Sequence, residues 1–234
     1  MDGEEKESPE VQNRLFYEII ILAVICGILS GTIYYYRTQY MELSSMGNVI
    51  FRAVRMTIVY FIIPMFWLVK VRKFKLEDLG LTSRNMLMSL ILGIGVYAIA
   101  LAVFLMALGI PEFDKYYHWG HSMPLSEFMA KMALIAWMAT LTDIWTRGMV
   151  LMPVLKLRGI FLAVLLQNLV WFAAHMYEID LLADSITLAG AVMLTLTLGI
   201  LGDLVAIKTK NIIGLCVGHI ALNICFFSYI RFLM

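Results

Sequence analysis

Residues 125–158 read LSEFMAKMALIAWMATLTDIWTRGMVLMPVLKLR. At about 1.5 Å of rise per residue, such a helix is long enough to cross a hydrocarbon core of about 30 Å. Its apolar residues run almost unbroken from Met132 to Leu155, yet Asp143 and Arg147 stand inside that run. They are i and i+4, so one helical face carries both and they can pair. Ionisable residues within a span usually face a bundle interior or a wet cavity, and they are functional candidates by default. The chain around this stretch has the same character. Of its 234 residues, 62% are hydrophobic and only 15% charged. Its mean hydropathy is +0.84. A soluble domain is roughly half apolar, so the chain is expected to be an all-α, polytopic membrane bundle.

Breaks in the apolar runs predict seven transmembrane helices, over residues 15–36, 47–70, 86–109, 125–156, 160–178, 185–207 and 211–232. The acidic lead MDGEEKESPEVQNR is unlike the basic start of a cleavable signal peptide. Residues 1–14 are therefore read as a polar cytoplasmic tail and residues 15–234 as one membrane domain whose first helix is retained. Basic residues cluster in alternate connections: Lys70, Arg72, Lys73, Lys75 and Arg84, then Lys156 and Arg158, then Lys208 and Lys210. The other connections carry Glu112, Asp114, Glu178, Asp180 and Asp184. The basic set is expected to face the cytoplasm. That puts the N-terminus inside and the C-terminus outside a membrane, in all expectation the cell membrane. A net charge of +1 offers no surface for nucleic acid. Cys26, Cys216 and Cys225 all fall within apolar segments and read as small core side chains rather than a disulfide framework.

The polar residues of the later helices form a short set: Asp143 and Arg147, His175, Asp203, and His219 with Asn223. Trp171 shares a helical face with His175, as His219 does with Asn223. Asp143 and His175 each lie about 15 residues from the basic ends of their helices and His219 about 8, so at about 1.5 Å per residue the three are within reach of one another. Each has a structural alternative. An Asp–Arg pair can lock a helix to its neighbours, and an asparagine can serve as interhelical glue. Arg52 and Arg55 stand near the start of the second segment, where long side chains snorkel to the interface. There is no H-E-x-x-H, zinc takes three or four ligands, and His118 and His121 fall in the opposite loop, so no metal or other cofactor is expected. Neither internal repeats nor helices broken by Gly or Pro in matching halves suggest a transporter.

Three motifs in order, TDIWTR at 142–147, WFAAH at 171–175 and GHIALN at 218–223, resemble those of the CPBP family. These are intramembrane proteases that include the type II CAAX prenyl endopeptidases and the bacterial Abi proteins. Members carry E-E-x-x-x-R, F-x-x-x-H and H-x-x-x-N. LEDLGL at 76–81 and LGILGDLVAIKTKNIIGLCVGHIALN at 198–223 are similar to the family's approach to its core, so the resemblance covers about residues 70–230. It implies a site in which the first glutamate and first histidine activate water, while the second histidine and asparagine hold the oxyanion. His175, His219, Asn223 and the orienting Arg147 match. Asp143 takes the place of the second glutamate and Thr142 that of the first. A threonine hydroxyl does not act as a base near neutral pH. Asp143, about 100° away around the helix, is poorly placed to substitute.

Two functions follow. In the first, the chain is a catalytically silent member whose polar cavity binds a membrane-embedded protein, peptide or lipid. In the second, it is a divergent endopeptidase in which Asp143 and His175 activate water. Thr142 favours the first.

Overall fold

The structure, a computed structural model, describes residues 8–107 and 123–233. Residues 1–7 of the polar tail, Glu112, Asp114, His118 and His121 lie outside the described residues, as does the side chain of Asp184. Among the described residues the chain is all helix, with six helices long and apolar enough to cross a membrane and a shorter apolar one, Ile160–Ala174. The order is α1 (Pro9–Tyr40), α2 (Ser45–Val71), α3 (Met86–Ala107), α4 (Leu125–Arg158), α5 (Ile160–Ala174), α6 (Met176–Ile186), α7 (Leu188–Thr209) and α8 (Ile213–Leu233).

Local chemistry explains where these helices begin and bend. Ser8 caps α1 by accepting from the Val11 N–H, with Pro9 at the first helical position. Ser44 caps α2 by accepting from the Gly47 N–H at 3.1 Å. Inside α2, Pro64 lacks an N–H and lies between two π-helical stretches, Thr57–Ile62 and Phe66–Val71. The wider π turn accommodates the broken hydrogen-bond ladder. The same device recurs in α4, where a π-helical stretch over Ile144–Leu151 precedes Pro153. Asp143 is thus the last α-helical residue before the widening, and Arg147 lies within it.

The expected helix over 160–178 is two helices. α5 stops at Ala174 because His175 leaves helical geometry (φ −109°, ψ 14°), and α6 begins at Met176. The imidazole accounts for the break: its Nδ1 lies 2.9 Å from the Trp171 carbonyl oxygen, holding the end of α5 with a side chain. Thr187, at φ 72°, then ends α6 and caps α7 by accepting from the Gly190 N–H. Residues 178–185, read from sequence partly as a connection, are therefore helical.

One end of the bundle is held by polar contacts between elements distant in sequence. Arg72 pairs with Glu18, Lys156 with Asp78 at 3.2 Å, and Arg158 bonds Asn13. At the turn between α7 and α8, Asn211 donates to the carbonyls of Thr82 and Arg84, and its own carbonyl accepts from the Ser89 hydroxyl. These bonds dock residues 82–89 on the start of α8, and the Ile212 N–H, donating to the Gly80 carbonyl at 3.0 Å, adds the LEDLGL segment. Above that elbow α3 and α8 meet with almost no side chain between them. A Cβ on Gly214 would run into the backbone of Ser89, and one on Gly218 into the Gly93 carbonyl and the Tyr97 ring. Small residues at four-residue spacing let membrane helices approach in this way. The consequence is positional: Tyr97 and His219 come face to face.

The side chains are distributed as a membrane demands. Large apolar residues such as Ile28, Phe161 and Met106 face outward, whereas Asp143, Arg147, Gln167 and Asp203 are fully buried. Cys26 and Cys216 are buried as expected, but Cys225 is exposed on the outer face of α8.

Candidate functional site

Asp143 is the hub. Its carboxylate accepts from three groups on three helices. Arg147 Nη1 donates to Oδ1. His219 Nδ1 lies 3.0 Å from Oδ2, and the Tyr97 hydroxyl bridges both oxygens at 3.2 and 3.3 Å. The expected pairing of Asp143 with Arg147 survives the π widening, and the structure adds His219 to it directly. Both residues of the pair are 0% exposed, so this is an ion pair out of reach of solvent.

Arg147 serves a second acid. Its Nε lies 3.4 Å from Asp203 Oδ1, and Nη2 donates to the Gly199 carbonyl at 3.3 Å. Its guanidinium carbon sits 4.4 Å from the centroid of the Trp171 ring, within cation–π range. Asp203 in turn accepts from Asn168 Nδ2 at 2.8 Å. Two glycines of α7 make room for this assembly. A Cβ at Gly202 would collide with the guanidinium, and one at Gly199 with Asn168 and Trp171. The chain Asn168–Asp203–Arg147–Asp143–His219 therefore joins α5, α7, α4 and α8. Two carboxylates and one guanidinium leave it one proton short of neutrality. Such charges are retained in a low-dielectric interior only when paired and hydrogen-bonded.

The two histidines are held alike. A carbonyl oxygen only accepts, so His175 Nδ1 carries the proton that it shares with Trp171. A carboxylate bonded to three donors is an acceptor too, so His219 Nδ1 is likewise the donor to Asp143. Each imidazole then has Nε2 as its remaining ring nitrogen, a lone pair when the ring is neutral. The rings lie 6.4 Å apart, inclined by 23°. His219 is stacked on Tyr97 at 4.7 Å, and His175 packs on Trp171 at 3.9 Å.

Thr142 and Asn223 bond within their own helices. The Thr142 hydroxyl donates to the Met138 carbonyl at 2.9 Å. Asn223 Nδ2 donates to the His219 carbonyl at 3.0 Å. Both are half-buried, on the margin of the polar cluster rather than in it. Arg52 pairs with Glu178 of α6 at 3.5 Å, and Arg55 donates to the Ser30 carbonyl at 3.1 Å, so both act between helices. Among the described residues, no group of three or more His, Cys, Asp or Glu is arranged to hold a metal ion.

Two members of the site, Tyr97 and Asn168, were not singled out from sequence. Tyr97 is an aromatic in an apolar run, and nothing in its neighbourhood distinguishes it. Asn168 and Gln167 carried a usable signal, being adjacent amides in an otherwise apolar segment. Gln167 is fully buried, and neither the nitrogen nor the oxygen of its amide has a hydrogen-bond partner among the described residues.

Comparison with known proteins reaches the same part of the chain. Residues 124–225 match a family model described as Rce1-like, type II CAAX prenyl endopeptidase. No curated protein and no solved structure matches the chain.

Proposed function

Through residues 124–225 the chain belongs to the CPBP family, and from that premise we propose that it is a silent member, which binds a membrane-embedded protein, peptide or lipid chain in its polar cavity without cutting it. The observation that carries this reading is the saturation of Asp143. A general base must reach the proton that it abstracts. The Asp143 carboxylate is 0% exposed and already receives Arg147, His219 and Tyr97. The hydroxyl at position 142 is directed to the Met138 carbonyl. Neither residue is available to activate water as the family's glutamate does.

One observation favours a second reading. The Asp143–His219 contact at 3.0 Å is a carboxylate–imidazole dyad with Nε2 left over, and such a ring can accept a proton from water. In that case the chain is a divergent endopeptidase whose base is His219, positioned by Asp143, with His175 alongside.

The experiment pairs the wild-type protein with Thr142→Glu in detergent, using a prenylated CAAX-type reporter peptide. The silent reading expects no cleavage by the wild type and cleavage by Thr142→Glu. Wild-type cleavage that disappears in His219→Ala would refute it and establish the second reading. Wild-type cleavage that survives His219→Ala and Asp143→Asn would refute both.

A further inference from the structure

We propose that the cleft between the last turns of α1 and the first turns of α2 binds an acidic phospholipid, with its phosphate on Arg37 and an acyl chain along Ile33 and Phe51. The site is separate from the Asp143 cluster. It is an open cleft of about 350 Å³ walled by Ile33, Tyr36, Tyr40 and Phe51, with Arg37 among the lining residues. That volume is within the roughly 300–1,000 Å³ of small-ligand sites.

The occupant follows from the surroundings. α1 and α2 are both spans, and α1 presents Val24 and Ile28 outward, so the medium around the cleft is lipid. Arg37 directly follows the tyrosines 34–36 that close the apolar run of α1, which is the level of the headgroups. An acyl chain entering from the bilayer meets apolar walls, and the phosphate above it meets a guanidinium.

Charge selects the headgroup. Arg37 Nε is buried and has no hydrogen-bond partner among the described residues. No carboxylate pairs with Arg37 there, whereas Arg14, Arg52 and Arg72 each have a glutamate. Glu42, in the turn that follows α1, makes no ion pair with it. Arg55 is committed elsewhere. It donates to the Ser30 carbonyl and lies 5.2 Å from the Tyr34 ring, pinning α1 to α2 two turns below Arg37. Tyr36 and Tyr40 stack at 5.9 Å and stiffen one wall. A guanidinium fork matches phosphate oxygens geometrically, and basic pockets between spans hold acidic headgroups. None of the lining residues is acidic, so a choline ammonium finds no partner there and a net-negative lipid is preferred.

The test is native mass spectrometry of the full-length protein in detergent, titrated with dioleoyl-phosphatidylglycerol or dioleoyl-phosphatidylcholine. The wild type should retain phosphatidylglycerol about tenfold better, the scale of one charge-assisted contact. Arg37→Gln should abolish the preference without shifting the lipid-free melting temperature, and Arg37→Lys should retain part of it. Phe51→Trp, which fills the cleft, should weaken retention of both lipids. Equal retention of the two lipids by the wild type, or an unchanged preference in Arg37→Gln, overturns the proposal. So does displacement of the lipid by excess inorganic phosphate, because an anion alone would then satisfy the site.

Discussion

Replacing Arg147 with methionine keeps the bulk and removes the one cation between two buried acids. Both carboxylates and the guanidinium are 0% exposed, so neither acid can recover hydration without opening the bundle. The Gly199 carbonyl loses its donor and Trp171 its cation as well. Breaking a buried pair by removing one partner costs about 3–5 kcal/mol. At about 2–4 °C per kcal/mol for a chain of this size, Arg147→Met should lower the melting temperature of the detergent-purified protein by roughly 6–20 °C. The accompanying Asp143→Asn exchange supplies the internal control. It removes the more tightly bonded of the two acids, so the double variant should be less destabilised than the sum of the single ones. Coupling between groups in direct contact is typically about 0.5–3 kcal/mol. Arg147→Lys should recover only part of the loss, because one ammonium cannot fork between two carboxylates and a carbonyl. A fall of less than about 2 °C for Arg147→Met, or strict additivity with Asp143→Asn, would show that the cluster does not carry the coupled charges described.

Two further outcomes follow from the packing around Asp143. Tyr97→Phe keeps the stack on His219 but removes the hydroxyl that bridges the carboxylate at 3.2 and 3.3 Å. Hydrogen bonds to charged groups are worth about 1.5–3 kcal/mol, and these long ones should lie at the lower end, as read from chemical or thermal melts. Gly214→Leu forces a side chain into the backbone of Ser89 and separates α3 from α8, whereas Gly27→Leu meets nothing within 4 Å. The first should cost about 3 kcal/mol or more and the second under about 0.5 kcal/mol, measured as paired melting curves.

Much of the architecture was legible in the chain itself, because span length and hydropathy are properties of a segment and need no partner. The runs that became α1, α2, α3, α4, α7 and α8 announced themselves in this way. So did the Asp143–Arg147 pair, since residues four apart on one helix are neighbours whatever that helix packs against. Periodicity does not say which face of another helix arrives opposite. That Asp203 shares Arg147, that Tyr97 bridges Asp143, and that His219 bonds the carboxylate were decided between helices. The approach of α3 to α8 at Gly93, Gly214 and Gly218 and the Asn211 elbow set those faces. The break at His175 is local instead: the ring turns back onto the Trp171 carbonyl four residues earlier, and a lone polar ring in an apolar run is not by itself a stop signal. Composition determined that these charges lie inside a membrane, and only the tertiary structure decided that they meet. Ionised groups in a medium without water must find one another, and which of them do depends on helix rotation and close approach.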